Sequence, residues 1–343
     1  MRLGLDIGGT KTDAVAVDAA GTVVERVRLV TGFGADAVIA TALEGIAAIS
    51  EATGLAAAEF ESIGVGIPGQ VDASRRRVSH AVNLGFDELD VAGILAAELT
   101  VPAGSRLDGG AGRVDGHGVR VEVENDVKAA ALGAYHLMTT EARLTARSMA
   151  YLNLGTGLAA GLVIDGRLWR GARGTAGEIG HIPVDPGGVL CLCGQRGCLE
   201  TLASGAAIAR QWPSDDPVPV LSLLAAAEDG DPAAVAIRSR LVDNVAAAVR
   251  VLVLTVDVEL VMIGGGLSNL GAWLLDAVRE VLASWAEESP FLASLALESR
   301  VQLVPAGFPA AAVGAALVGA APIGAVGAVS EIRTEESVVA WPK

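Results

Sequence analysis

Two stretches about 150 residues apart repeat one pattern, and that repetition limits the folds open to the chain. Leu3, Leu5 and Ile7 alternate with small or polar residues, so residues 2–7 read as a buried strand. It ends in Asp6-Ile7-Gly8-Gly9-Thr10-Lys11 and runs at once into a second strand, Thr12–Asp18. Met149–Leu154 is another such strand, followed by Gly155-Thr156-Gly157 and a strand over Ala159–Ile164. Each unit is a hairpin whose glycine turn lets backbone N–H groups approach phosphate oxygens, with a threonine hydroxyl added. A plain hairpin with a glycine turn explains either unit alone. Two copies predict a duplicated fold in which both hairpins face one cleft. Asp6, at a strand end, is placed to hold Mg²⁺ directly or through water.

The second constraint is Gly174–Ser204, which holds every cysteine of the chain: Cys191, Cys193 and Cys198. With His181 they supply one imidazole and three thiolates, a complete tetrahedral set for zinc with no position left for water. The site is therefore expected to be structural. Buried free cysteines are the plain alternative, since cysteine favours interiors. A disulfide would leave one cysteine over, and cysteines two apart pair poorly. Glu178 and Glu200 bracket the cluster and are expected near one point once the loop closes.

At 343 residues the chain is long enough for two domains. The net charge of −15 argues against nucleic acid as a partner, because phosphate backbones need basic patches. Clustered cysteines without a disulfide framework point to a reducing, cytoplasmic setting, and Met1-Arg2 runs straight into a strand with no signal-peptide pattern. The uncharged run from Val301 to Ser330 is long enough to span a bilayer. Its prolines and glycines favour instead a strand, Val301–Val304, a loop and a small-residue helix from about Pro309 to Ala320. No membrane partner is expected.

Between these landmarks the periodicity predicts a helix over 35–53, a strand over Ser62–Ile67 ending in Gly66-Ile67-Pro68-Gly69, and a short helix near Val91–Leu99. Thr100–Gly118 reads as an exposed excursion. Val119–Val123 is a strand leading into Glu124-Asn125-Asp126 and a helix from Val127 to about Met138. Asp126 reads either as a helix cap or as a carboxylate facing a cleft and able to take a proton from an alcohol. Helices are predicted over Gly205–Gln211, Pro219–Glu228, Pro232–Leu254 and Asn269–Glu287. Before the last, strand Glu259–Ile263 ends in Gly264-Gly265-Gly266, a run that permits a flat ligand to lie on backbone or simply makes a tight connection. Ala321–Lys343 reads as a surface tail.

Taken together, Asp6–Lys11, Gly66–Gly69, Asn83-Leu84-Gly85, Glu124–Asp126, Leu154–Gly157, Gly177-Glu178-Ile179-Gly180-His181, the cysteine segment through Glu200 and Gly264–Gly266 resemble the ROK family of sugar kinases and sugar-responsive repressors. The matches run in family order over about residues 2–320. The resemblance implies two actin-like (ribonuclease-H-like) α/β domains flanking a central cleft. Residues 1–123 would form the first, joined by a returning helix at about 308–321; residues 124–307 would form the second, with the zinc loop, and 322–343 the tail. It implies ATP with Mg²⁺, a hexose, and a homodimer or higher homo-oligomer. Asp126 becomes the general base. Asn83, Gly85, Asn125, Glu178, His181 and Glu200 become sugar contacts. Asp6, Gly8, Gly9, Thr10, Lys11, Gly155, Thr156, Gly157 and Gly264–Gly266 become the nucleotide site.

The resemblance implies phosphorylation of a hexose, glucose first. Fructose, mannose, N-acetylmannosamine and N-acetylglucosamine are the nearest alternatives, and a non-catalytic sugar-responsive regulator is the reading of another class. Lys128 departs from the family pattern, in which many relatives carry Asn. It would either lower the pKa of Asp126 or point to solvent.

Overall fold

The computed structural model describes residues 1–72, 74–100, 119–140 and 145–318. The N-terminal sheet is built from β1 (Arg2–Ile7), β2 (Lys11–Val17), β3 (Val23–Val30), β4 (Ile63–Ile67) and, further along the chain, Val121–Asn125, in the order β3-β2-β1-β4 and then that last strand. The first three strands are antiparallel neighbours; β4 pairs parallel to β1, Leu3 facing Ile63. Helix α1 (Ala35–Thr53) covers one face, where Val38, Ile46 and Ile49 pack on Leu3 and Leu5. Each such fully buried side chain contributes about 1.5–3 kcal/mol. A small satellite sheet follows: β5 (Gln70–Val71), β6 (Val78–Ala81) and β7 (Phe86–Leu89), then α2 (Val91–Glu98). Val121–Asn125 is thus β8, and α3 (Asp126–Thr140) starts directly from it.

The second half repeats the plan. β9 (Ser148–Leu154), β10 (Leu158–Ile164) and β11 (Arg167–Trp169) are antiparallel, and β12 (Leu260–Gly264) pairs parallel to β9. After the cysteine segment come α4 (Gly205–Gln211), α5 (Pro219–Glu228) and α6 (Pro232–Val256); after β12 come α7 (Ala272–Glu288), α8 (Pro290–Leu295), β13 (Val301–Leu303) and α9 (Ala310–Val318). The sheet order is β11-β10-β9-β12-β13, the same hairpins-then-parallel arrangement as the first. The duplication expected from the two glycine hairpins is therefore present, and the architecture is actin-like α/β. Val245, Val249 and Leu252 of α6 fill the core against Leu152 and Ile263.

Two helices join the halves. Helix α3 packs its alanines on β9 and β10, with Met149, Tyr151 and Val163 in one cluster. Helix α9 returns to the N-terminal sheet and packs on β1 and β4. Where α3 and α9 cross, the backbones touch. A Cβ at Gly314 would lie 1.7 Å from the Ala129 carbonyl, and one at Gly133 would lie 2.0 Å from that of Ala310. Only hydrogen fits at either position.

Two expectations need correction, and three short strands were not foreseen. The helix predicted from Asn269 begins at Ala272, because a short 3₁₀ turn, Gly266–Leu270, intervenes and Gly271 adopts φ 63°. Lys128 does not point to solvent but is buried, at 3% exposure. The satellite strands β5 to β7 carry too few and too polar residues to announce themselves by alternation. Among the described residues no helix is long and apolar enough to cross a membrane. Most of the Thr100–Gly118 excursion and all of the Ala321–Lys343 tail lie outside the described residues.

Candidate active site and metal cluster

The N-terminus of α3 organises the site. Asn125 Oδ1 accepts the Lys128 N–H at 3.1 Å, so Asn125 is the helix cap. Its Nδ2 donates to the Gly69 carbonyl at 3.2 Å. Asp126 is thereby relieved of capping; its carboxylate accepts its neighbour's N–H, Val127, at 2.9 Å, and its own backbone N–H. Burial raises its proton affinity above the usual carboxylate range. The Val127 N–H and the Lys128 charge oppose that rise, and Glu178 adds to it.

Asp126 lines a cavity of about 290 Å³ together with Asp6, Lys11, Tyr151 and Gly264–Gly266. Asp6 stands one residue before the end of β1, and burial, then the charges of Asp126 and Asp13, push its pKa up to about 7. Lys11 starts β2 on the same wall, and Arg28 stands near it, held by a bidentate pair with Asp13 (2.9 Å each). The glycine run lines the same cavity. Gly266 has no heavy atom within 4 Å of where a Cβ would stand, which leaves open space over its backbone. Tyr151 was not anticipated as a site residue. In sequence it is one more residue of a buried strand, yet its phenol reaches the glycine run and receives the Gly265 N–H, and burial raises its pKa.

The hairpin turns take different neighbours. Gly8 donates to the Lys11 carbonyl at 3.0 Å, and the Gly9-Thr10 turn is exposed, with Asn83 beside Gly9 (3.3 Å from a Cβ there to the Asn83 carbonyl). Gly85 adopts φ 79° under the Phe33 ring. In the second hairpin Gly155 donates to the Gly157 carbonyl, while the carbonyls of Gly155 and Thr156 accept the first N–H groups of α4 at 2.9 and 3.1 Å. Gly157 faces Glu200 rather than the cavity: a Cβ there would lie 3.0 Å from Glu200 Oε2.

The cysteine segment folds back on itself through bridges pairing Pro183 with Cys198 and Leu190 with Arg196. A tight turn, with Cys191 N–H on the Gln195 carbonyl (2.8 Å) and Gly194 N–H on that of Cys191 (2.9 Å), brings the thiols together. The ligand atoms of His181, Cys191, Cys193 and Cys198 lie within 4.8 Å of one another. Cys193 Sγ is 3.6 Å from Cys198 Sγ, and Cys191 Sγ is 3.7 Å from His181 Nδ1. A tetrahedral zinc with Zn–S of about 2.3 Å has an edge of about 3.8 Å, so the donor set has the dimensions of that shell. Glu200 Oε1 lies 3.0 Å from Cys191 Sγ and 3.6 Å from His181 Nδ1, which ties the cluster to the residue facing the second hairpin.

A family model for the ROK family matches residues 2–111 and 115–320. The chain is 31% identical over 307 residues to a glucokinase of Streptomyces coelicolor, covering 83% of this chain and 88% of that protein. It is 29% identical over 267 residues to an N-acetylmannosamine kinase of Yersinia pseudotuberculosis, covering 77% and 82%. Among solved structures it is similar to a ROK family glucokinase from Streptomyces griseus in complex with glucose and AMPPNP. The TM-score is 0.72, with 30% identity over 92% of this chain and 98% of that one.

Proposed function

Since this chain belongs to the ROK family and is a sugar kinase, we propose that it transfers the γ-phosphoryl group of ATP to a hydroxyl of a hexose, with glucose the first candidate. The observation that carries the reading is the carboxylate of Asp126, freed from capping by Asn125 and set on the wall of the cavity shared by Asp6, Lys11 and Gly264–Gly266.

Asp126 accepts the proton of the attacking hydroxyl, and its raised proton affinity suits a base working near neutral pH. Asn125 keeps one N–H and one lone pair for the sugar beyond its bonds to Gly69 and Lys128. Glu178, His181 and Glu200 grip further hydroxyls, with Asn83 and Gly85 from the N-terminal half. The nucleotide base lies on Gly264–Gly266, and the phosphates meet Lys11 and the Gly8-Gly9-Thr10 turn. Gly155-Thr156-Gly157, the turn of the second hairpin, completes the nucleotide site on the phosphate side. Phosphoryl transfer depends mostly on positioning and charge stabilisation. Mg²⁺ held near Asp6 would supply part of that stabilisation. His181, Cys191, Cys193 and Cys198 would hold zinc, which would fix the His181 ring beside Glu200.

The test is ADP release from ATP and Mg²⁺ across glucose, mannose, fructose, N-acetylglucosamine and N-acetylmannosamine. One sugar with kcat/KM well above the rest identifies the substrate. The N-acetylmannosamine kinase relative makes the N-acetylated sugars the informative contrast. Binding of a sugar by calorimetry without turnover, with ATP or polyphosphate as donor, would replace this reading with that of a sugar-responsive regulator.

A further inference from the structure

Two ion pairs of opposite polarity join the same two segments on either side of Asp126. The first segment is the end of β8 and the start of α3. There Glu124 precedes Asp126 by two positions and Lys128 follows it by two, and both are buried, at 2% and 3% exposure. The second segment is the loop that leaves β11 and leads to His181. Arg170 at its start reaches Glu124, Nε to Oε2 at 2.6 Å, and Glu178 near its end reaches Lys128, with Nζ to Oε1 at 3.5 Å. The loop partners are more open to solvent, with 36% and 43% of their side chains exposed.

This arrangement has physical consequences. A buried charge that loses its partner is costly, much more so than an exposed one. If the loop lifts, it strands a carboxylate and an ammonium together. If the loop slips so that Arg170 meets Lys128, like charges face each other, so the loop has one register. The loop is seated on β10 just before Glu178, where Ala160 N–H donates to the Gly177 carbonyl at 2.7 Å. A Cβ at Gly177 would lie 1.9 Å from the Ala160 carbonyl. The other oxygen of Glu124 accepts the Asn125 N–H at 3.0 Å, so the first bridge also holds the peptide that leads into Asp126.

We propose that the Glu124–Arg170 and Lys128–Glu178 bridges act as one clamp that registers the loop bearing Glu178 on the strand end bearing Asp126. Arg170 and Lys128 are then positioning residues for the sugar. The proposal builds on the reading of Asp126 and Glu178 as groups that face the sugar.

The test uses Arg170→Met, Lys128→Met, the double variant and Arg170→Lys in the full chain. Each Met variant is expected to raise KM for the preferred hexose about tenfold while KM for ATP stays within about twofold. The double variant is expected to lose less than the product of the singles, because either break frees the same loop. Amide exchange over residues 170–178 should speed up in both single Met variants, and Arg170→Lys should restore most of the protection. Losses that multiply, equal rises in both KM values, or unchanged exchange over 170–178 would each overturn the clamp. A wild-type chain that phosphorylates no hexose would remove the functional reading instead. The exchange measurement, which needs no substrate, then decides the clamp alone.

Discussion

Asp126 helps hold the proton on Asp6. Burial is the larger cause and the Asp126 charge the next, and together they keep the Asp6 carboxyl protonated up to about pH 7. The unfolded chain releases that proton near pH 3.8. Between these values the folded state binds the proton more tightly, so Asp6 destabilises the fold progressively as pH rises from 4 to 7, and fully above that. Asp6→Asn is expected to raise Tm by several degrees at pH 8, with the gain shrinking to nothing toward pH 4. Calorimetric scans across pH check this, and a gain that does not vary with pH would contradict it.

Asp126→Asn should reduce kcat about 10³-fold, within the range expected for losing a positioned base, while hexose affinity changes little. ADP release and calorimetry measure the two quantities separately. Loss of binding would make Asp126 a sugar-gripping or structural residue.

The charge of Lys128 lowers the proton affinity of Asp126 against the effect of burial. In the role proposed for it Asp126 works only when deprotonated, so activity should fall as pH drops through its pKa. Removing the cation in Lys128→Met raises that pKa, and the acid limb of kcat/KM moves to higher pH. A pH–rate profile that keeps its acid limb in place would mean that another group controls it.

Metal analysis of the purified chain should find about one zinc per chain, as expected for a closed four-ligand site. Cys198, fully buried in the cluster, is the most informative position. Cys198→Ser should lose the metal, lower Tm and weaken hexose binding about tenfold through the loosened His181 and Glu200. Full activity and stability without metal would remove zinc from the account of His181.

At the crossing of α3 and α9, Gly314→Val should destabilise the fold by about 3 kcal/mol or more, since a Cβ there would overlap the Ala129 carbonyl. Denaturant unfolding measures this directly. A near-neutral result would mean that the two helices separate easily.

Much of the architecture was legible in the sequence because each repeat carries its own signal. Alternation marked Leu3, Leu5 and Ile7, the glycine turns marked the hairpins, and cysteine clustering marked the loop that gathers His181, Cys191, Cys193 and Cys198. The start of α7 was misjudged because Asn269 fits a helix by composition, while the interruption depends on the backbone of Gly271. Asp126 was recognisable as a candidate. That Asn125 takes over the cap is a matter of which neighbouring side chain reaches the free N–H, and sequence does not separate the two. Arg170 and Tyr151 were missed for a shared reason. Arg170 finds Glu124 across 46 positions, and the Tyr151 phenol meets a glycine run more than a hundred residues downstream. Pairings at such separation leave no local pattern.

The route of the chain through its halves bears on how it is made. Helix α9 packs on β1 and β4, so β1 is completed by a helix about 300 residues further along the chain. Until residue 318 is available, Gly4 and Gly64 have no α9 backbone against them, and that part of the first sheet lacks its cover. The second half, lying between, can assemble earlier on its own local contacts. Chains that stop short of α9 would therefore present an uncovered N-terminal sheet to chaperones and proteases.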